Sequence, residues 1–483
     1  MTGPRQGFDL FASVFGLINA NNWYCGISNR GNDCVDPTGS PVIGGGFWPK
    51  GTPDQYIFNA GLQVAGVIPG DAGFSWANDT VGAYFMDPRG DQAQGDGVSL
   101  VYSSIDPADA ANWPDQAVVR DTAVYNAVLI GRNTISQQDT WVRYWDGNPT
   151  LLSGRKHPMG ILVDQRSLAW TDVAKQNIVF FIYTFYNITA TDPSAYSGID
   201  PALRDSIIAV ANRFHAGVKD KLGVDIPTAG YAFDSLYAAF FSDEDVGDAG
   251  HNYSTAILPF NLMMAYKSDF LEPNWTFPPT IFGAPFRPSP GFVGFKYLRS
   301  PVDPATGKQV GLTLFSNTLN SAVGFPDPVG VVQLWRYLSG HINPGAGDNP
   351  CTSPDPIQSH ICYQAETAVD TRSYQASGPF ILQPGQSATI VVAVIGAPPV
   401  AKPLENLGSS GIGGDVAPGF PPTGEQIATG AASPRVIDSI AGWKSQTDAN
   451  ADGNIEQDEV SVVPGSLLGQ AILAQAVFDN KFL

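Results

Sequence analysis

The segment Ile178 to Thr189, reading I-V-F-F-I-Y-T-F-Y-N-I-T, limits the possible folds of this chain more than any other stretch. Successive side chains of a strand point to opposite faces, and here both faces carry Phe, Ile, Val or Tyr. Neither face can be left to water, so the segment predicts a strand in the middle of a sheet that is covered on both sides. Further strand signals bounded by Gly, Pro or Asp lie at Phe58 to Ile68, Val118 to Ile130 and Trp141 to Trp145. From Ser377 to Gly396 two apolar runs flank Pro384-Gly385, which predicts a hairpin closing the edge of a sandwich. With 52 Gly and 39 Pro, the composition favours many turns over long helices.

One helix interrupts this pattern. Asp200 is placed to cap it, Pro201 takes its first turn, and Leu203, Ile207, Val210, Ala211, Phe214, Val218 and Leu222 line one face before Gly223. His215 lies off that stripe and is expected to face solvent. The fold class is therefore mainly β: one or two packed β-sandwich units with a helical insertion at 200–222. The expected organisation is an N-terminal β unit over 1–135, a β-sandwich over 136–397, a Pro/Gly-rich linker over 398–433, and a helix-loop-helix over 434–483. In that tail, Val436, Ile437, Ile440 and Trp443 mark a first helix. Leu467, Leu468, Ile472, Leu473, Ala476 and Val477 mark a second, delayed by Pro464.

Between those helices, Asp448 to Glu459 reads D-A-N-A-D-G-N-I-E-Q-D-E. This is the ligand pattern of an EF-hand calcium loop, with oxygens from Asp448, Asn450, Asp452, the Asn454 carbonyl, Glu456 through a water, and bidentate Glu459. Gly453 supplies the sharp turn and Ile455 an apolar anchor. Calcium is the expected cofactor, and a lone loop of this kind is read as a structural clip.

The 45 acidic against 26 basic residues, a net charge of −19, exclude a surface built for phosphate backbones, so nucleic acid is not an expected partner. No run of 18 apolar residues predicts a membrane span. Four cysteines fall into two close pairs, Cys25 with Cys34 and Cys351 with Cys362, and predict two local disulfides in an oxidising compartment. The first residues make a poor export leader, with Asp9 inside the apolar run, so the chain is expected to begin as a mature or truncated product with an early strand over Phe8 to Ile18.

Ser242 to Asn252, S-D-E-D-V-G-D-A-G-H-N, gathers Asp243, Glu244, Asp245 and Asp248 in a turn. Carboxylates this dense repel unless they are solvated or share a cation. Three readings stay open: a second metal site through Asp243, Asp245 and Asp248, a solvated acidic loop, or an acid-base site with His251. Asp87 to Asp96 is a weaker version, read as a surface turn. W-D-G-N-P at Trp145 and N-W-T-F-P-P at Asn274 offer aromatic rings that could stack on sugars, although in β proteins such rings more often fill a core or cover an edge. Nucleophile elbows, H-E-x-x-H and phosphate loops are not found, so no catalytic residue is assigned. Of the sequons at Asn78, Asn187, Asn252 and Asn274, that at Asn187 falls in the strand expected to be buried and is read as chance.

D-T-W-V-R-Y-W-D-G-N-P, H-P-M-G-I-L-V-D-Q-R-S-L-A-W, the 178–189 strand, W-Y-C-G-I-S-N-R-G near the start, N-W-P at Asn112, and the tail G-Q-A-I-L-A-Q-A-V-F-D-N-K-F together resemble a group of uncharacterised secreted bacterial β-rich proteins. The resemblance spans most of the chain. It implies an extracellular or cell-surface location, with the body often followed by fibronectin-like or sorting modules, and implies no activity. Two functions follow as expectations. One is a calcium-stabilised structural or surface-assembly protein that self-associates or binds cell-surface components. The alternative is an extracellular carbohydrate-binding adhesin or polysaccharide hydrolase that recognises glycans.

Overall fold

The computed structural model describes residues 14–36, 45–85, 94–111, 134–267, 280–281, 284–285, 291–303, 306–320, 325–341, 360–365, 368–397 and 467–482. Two large sheets dominate. Sheet A has eleven strands. Its main path runs His360–Tyr363, Leu314–Leu319, Thr371–Leu382, Phe233–Asp243, Asn59–Val67, Asn32–Val35, Tyr24–Ser28, Gly46–Phe47, Gln55–Ile57. Sheet B has nine, with the path Asn252–Ile257, Leu262–Lys267, Phe292–Arg299, Ser387–Ala397, Ile178–Asn187, Ile161–Ala169, Gln138–Trp145, Asp96–Gly97.

The strand Ile178–Asn187 lies where its sequence requires, between Ser387–Ala397 and Ile161–Ala169. Val179, Phe181, Tyr183 and Phe185 enter the core between the sheets, while Ile178, Phe180 and Ile182 enter a second core on the far face of sheet B. Sheet A meets the first core with Ile27, Leu62, Val64 and Phe240. The Tyr183 and Phe240 rings are 6.3 Å apart, and Phe240 and Phe295 are 5.4 Å apart. Each such side chain withdrawn from water contributes roughly 1.5 to 3 kcal/mol.

Each sheet also has a helix on its outer face. Val331–Leu338 packs Val331, Leu334 and Leu338 against Ala65, Phe241 and Tyr374 of sheet A. Leu467–Asp479, the second helix expected in the tail, packs Leu467, Leu468, Ala471 and Ala474 against Leu262, Met264 and Ile395 of sheet B. A Cβ on Gly294 would come within 2.6 Å of Leu467, so glycine there lets the helix approach. The described architecture is thus helix, sheet A, sheet B, helix. The expected helix at 200–222 forms as Pro201–Leu222. Asp200 accepts from the Ala202 amide at 2.8 Å, Gly223 closes the helix at φ 68°, and Leu203, Ile207, Phe214 and Val218 are buried.

Two expectations are corrected. Thr371–Leu382 and Ser387–Ala397 do not pair with each other; the first belongs to sheet A and the second to sheet B, so the Pro384-Gly385 turn carries the chain from one sheet to the other. Both strands are central; Ser387–Ala397 is apolar on both faces and an edge would leave one uncovered, whereas Thr371–Leu382 carries buried polar residues, Ser373, Gln375 and Ser377, on one face. Secondly, residue 135 is not a break between sheets. Asn59–Val67 pairs with Phe233–Asp243, and Asp96–Gly97 pairs with Gln138–Trp145. Both sheets therefore mix strands from either side of the expected boundary. Val118 to Ile130, the linker 398–433 and the helix at Val436 to Trp443 lie outside the described residues.

Several polar groups inside the sandwich are paired. Asp33 of sheet A accepts from the Tyr183 hydroxyl at 2.7 Å and from Gln165 Nε2 at 2.5 Å, both on sheet B, and Tyr144 donates to Gln165 at 2.9 Å. Arg143 makes two bonds to Asp164 at 2.6 and 2.7 Å, and Arg166 pairs with Asp139. Cys25 and Cys34 form the expected disulfide across neighbouring strands, with Cα atoms 4.3 Å apart. Of the second expected pair, Cys362 lies in the edge strand His360–Tyr363 and Cys351 lies outside the described residues.

Candidate metal centre

The acidic turn begins where the central strand Phe233–Asp243 ends. Register places Asp243 directly opposite Asn59 on one neighbouring strand and opposite Arg372 on the other. Directly opposed residues share a face, and so do residues two apart along a strand. Asn59, Asp243 and Arg372 therefore fall on one side of sheet A at one end, and Asp245 and Asp370 lie just beyond the strand ends beside Asp243. That side is the outer one, since Tyr237, Ala239 and Phe241 pack toward the 331–338 helix. Oxygens of Asp243, Asp245 and Asp370 lie within 4.8 Å of one another, a separation that a single cation could bridge.

Arg372 is the counter-charge. Its Nε is 3.3 Å from Asp243 Oδ2, and its Nη1 is 3.0 Å from Asp370 Oδ1 and 3.8 Å from Asp327 Oδ2. Burial works against this guanidinium, but Asp243, Asp327 and Asp370 outweigh it and hold the proton more firmly than usual. One positive charge faces four carboxylates. Burial pushes the Asp243 carboxyl well above the ordinary range, with Arg372 opposing and Asp245 and Asp370 adding repulsion. Asp245 is raised to about 7 by burial and then by Asp370, while Arg372 pulls the other way. The cluster is thus short of positive charge and largely dry, unlike a solvated acidic loop.

Glu244 points to the opposite side, into the space between the sheets. It is fully buried and accepts from Ser242 at 2.8 Å and from Ser373, whose hydroxyl in turn lies 2.9 Å from Ser254. Burial raises its carboxyl to about 8, against the pull of the Ser373 and Ser242 hydroxyls. Asp248 is not one of the three clustered carboxylates. It caps the turn Ala249–His251, accepting from the Gly250 amide at 3.1 Å, and it pairs with His251 Nδ1 at 2.9 Å on an exposed surface. Of the three residues expected to form a second metal site, then, the structure gathers Asp243 and Asp245 and replaces Asp248 with Asp370. Nothing local in the sequence signals Asp370, which reaches the cluster only through strand pairing.

The EF-hand residues Asp448, Asn450, Asp452, Asn454, Glu456 and Glu459 lie outside the described residues. The sugar-stacking reading loses Trp145, which is fully buried in the core between the sheets. Its neighbour Asp146 is a structural corner, accepting from Arg155 at 2.5 Å and from the Met159, Gly160 and Ile161 amides at 2.6 to 3.0 Å. Asn148 ties this corner to buried Asp96 at 2.8 Å, so Asp96 does not sit on a surface turn. Asn274 and its aromatic neighbours, like Asp87, lie outside the described residues. His215 is half-buried and bonds to the Thr189 carbonyl at 2.5 Å, so it faces solvent only in part. Asn187 is buried and donates to the Tyr231 and Leu382 carbonyls at 2.9 and 3.0 Å, which closes its sequon to a glycan.

An open cleft of about 680 Å³ lies between the 154–156 turn and the N-terminus of the 331–338 helix, rimmed by exposed Val329 and Val332. No helix among the described residues is long and apolar enough to cross a membrane. Compared with known proteins, the chain matches no family model and no curated sequence.

Proposed function

We propose that this chain is a secreted, calcium-stabilised structural protein that assembles at the cell surface or in an extracellular layer or filament. The observation that carries the reading is the Cys25–Cys34 disulfide, set among the buried strands of sheet A. A bond of this kind persists in an oxidising compartment and is rare in a reducing cytosol. The oxygen pattern of Asp448 to Glu459 adds calcium, which extracellular modules bind at high free concentrations. Buried ion pairs such as Arg143–Asp164 and Arg166–Asp139 tie neighbouring strands of the body to one another. The helix Leu467–Asp479, which follows Asp448 to Glu459 in the sequence, is docked on sheet B. The body is thus a stiff unit, suited to bearing load rather than to closing around a substrate.

The test is electron microscopy of purified full-length protein in calcium and in a chelator, with mass-spectrometric mapping of the cysteines. Calcium-dependent polymers and an oxidised Cys25–Cys34 pair are expected. A monodisperse monomer in both conditions overturns the assembly reading, and reduced cysteines in protein recovered from its native location overturn the extracellular one.

A further inference from the structure

We propose that Asp243, Asp245, Asp370 and Asn59 form a divalent-cation site, distinct from the Asp448 loop, that rivets the ends of three neighbouring strands of sheet A. Clustered carboxylates alone would not carry this; the neighbouring amide does. Asn59 is 4% exposed, its Oδ1 receives no hydrogen bond, and the strand register sets it directly opposite Asp243 on the same face. Asp243 is 2% exposed, and its Oδ1 also has no donor, as does the buried Oδ1 of Asp370. Three buried acceptors without donors thus belong to neighbouring strand ends of one sheet. A buried oxygen left unsatisfied is costly, and more so when it is charged.

Arg372 does not resolve this. Its Nε and Nη1 come within ion-pair distance of Asp243 and Asp370 but direct no N–H along a hydrogen-bond line at either. The other contacts hold the ligands from behind. Asn320 Nδ2 donates to Asp370 Oδ2 at 2.9 Å, and Gln55 Nε2 donates to Asp245 Oδ2 at 3.3 Å. Each leaves the carboxylate's other oxygen available, and such outer contacts orient metal ligands in known sites. The donor set is entirely oxygen, three carboxylates and an amide, which suits a hard cation and not zinc or copper. Calcium's looser geometry tolerates a fixed sheet end better than magnesium's strict octahedron.

Placement states the role. The ligands come from the start of Asn59–Val67, the end of Phe233–Asp243 and the lead-in to Thr371–Leu382, which are adjacent in the sheet. A cation there would fix three strand ends in one step. The site stands apart from the secretion and assembly readings and survives if either fails.

The experiment is calcium titration by calorimetry on full-length protein carrying Asp448→Ala and Glu459→Ala, which silences the loop, followed by thermal melts in calcium and in chelator. One binding event and a calcium-dependent rise in melting temperature are expected to remain. Adding Asp245→Asn and Asp370→Asn should weaken binding roughly tenfold or more, and Asn59→Leu should weaken it by a smaller factor. Circular dichroism checks that each variant is folded; if Asp370→Asn fails to fold, Asp245→Asn alone gives the readout. The proposal falls if the loop-silenced protein binds no calcium at millimolar concentration, or if the Asp245→Asn protein binds it unchanged.

Discussion

Asp33 sits 1% exposed between the two sheets, and burial raises its carboxyl to about 7 despite the Tyr183 and Gln165 hydrogen bonds. In the unfolded chain the same group ionises near 4. The folded state therefore binds its proton more tightly, and stability falls as pH rises from about 4, where the unfolded chain starts to ionise, to about 7, where the folded group follows. The slope between those limits is at most about 1.4 kcal/mol per pH unit. Taken from pH 5 to pH 8, Asp33 should cost the protein roughly 2 to 3 kcal/mol. Asp33→Asn keeps the shape and removes the titration. Urea denaturation of both proteins at several pH values, at one fixed calcium concentration, gives the difference directly. The variant should gain on wild type steadily from pH 5 to 8 and then level off. A difference that stays flat across that range would refute the idea that this carboxyl is buried at the cost of its charge.

Asp146→Ala strips the partner from buried Arg155 and from the Met159, Gly160 and Ile161 amides, and should lower stability by about 3 to 5 kcal/mol in urea. A loss under about 1 kcal/mol would show that this corner is not a structural cage. Ala471→Glu puts a charge at a fully buried position on the helix that covers sheet B, and should free that helix to proteases while the sandwich still melts cooperatively. Unchanged digestion of the tail would mean that the helix does not depend on this contact.

What the sequence made legible was local. The two-faced strand at 178–187 and the capped helix at 201–222 were readable because a few adjacent residues decide each: alternation without a polar face for one, Asp200, Pro201 and Gly223 for the other. Pairing partners are not local. Pro384-Gly385 looks the same whether the chain folds back beside itself or crosses to the opposite sheet, and the difference lies in which distant strands compete for Ser387–Ala397. The acidic cluster shows the same division. Asp243 and Asp245 stand out as neighbours in sequence, whereas Asp370 and Asn59 join them only once two other strands take their register. The Trp145 motif left two readings open for a related reason: an aromatic ring reads alike whether it fills a core, as this one does, or meets a ligand.

The crossing of the chain between sheets also bears on when the protein can become a protein. Strands through Tyr84 belong to sheet A, and those from Asp96 to Asn187 belong to sheet B. Phe233–Asp243 returns to A, Asn252–Ile257, Leu262–Lys267 and Phe292–Arg299 go to B, and Leu314–Leu319 and Thr371–Leu382 to A, before Ser387–Ala397 joins B. That last strand is inserted between Ile178–Asn187 and Phe292–Arg299, at the middle of its sheet. Sheet B cannot be complete along its centre before that strand is made, and most of the pairings span long separations that close slowly. Among the described strands, the last in sequence is thus the one that joins the two halves of sheet B, Asn252–Arg299 on one side and Asp96–Asn187 on the other.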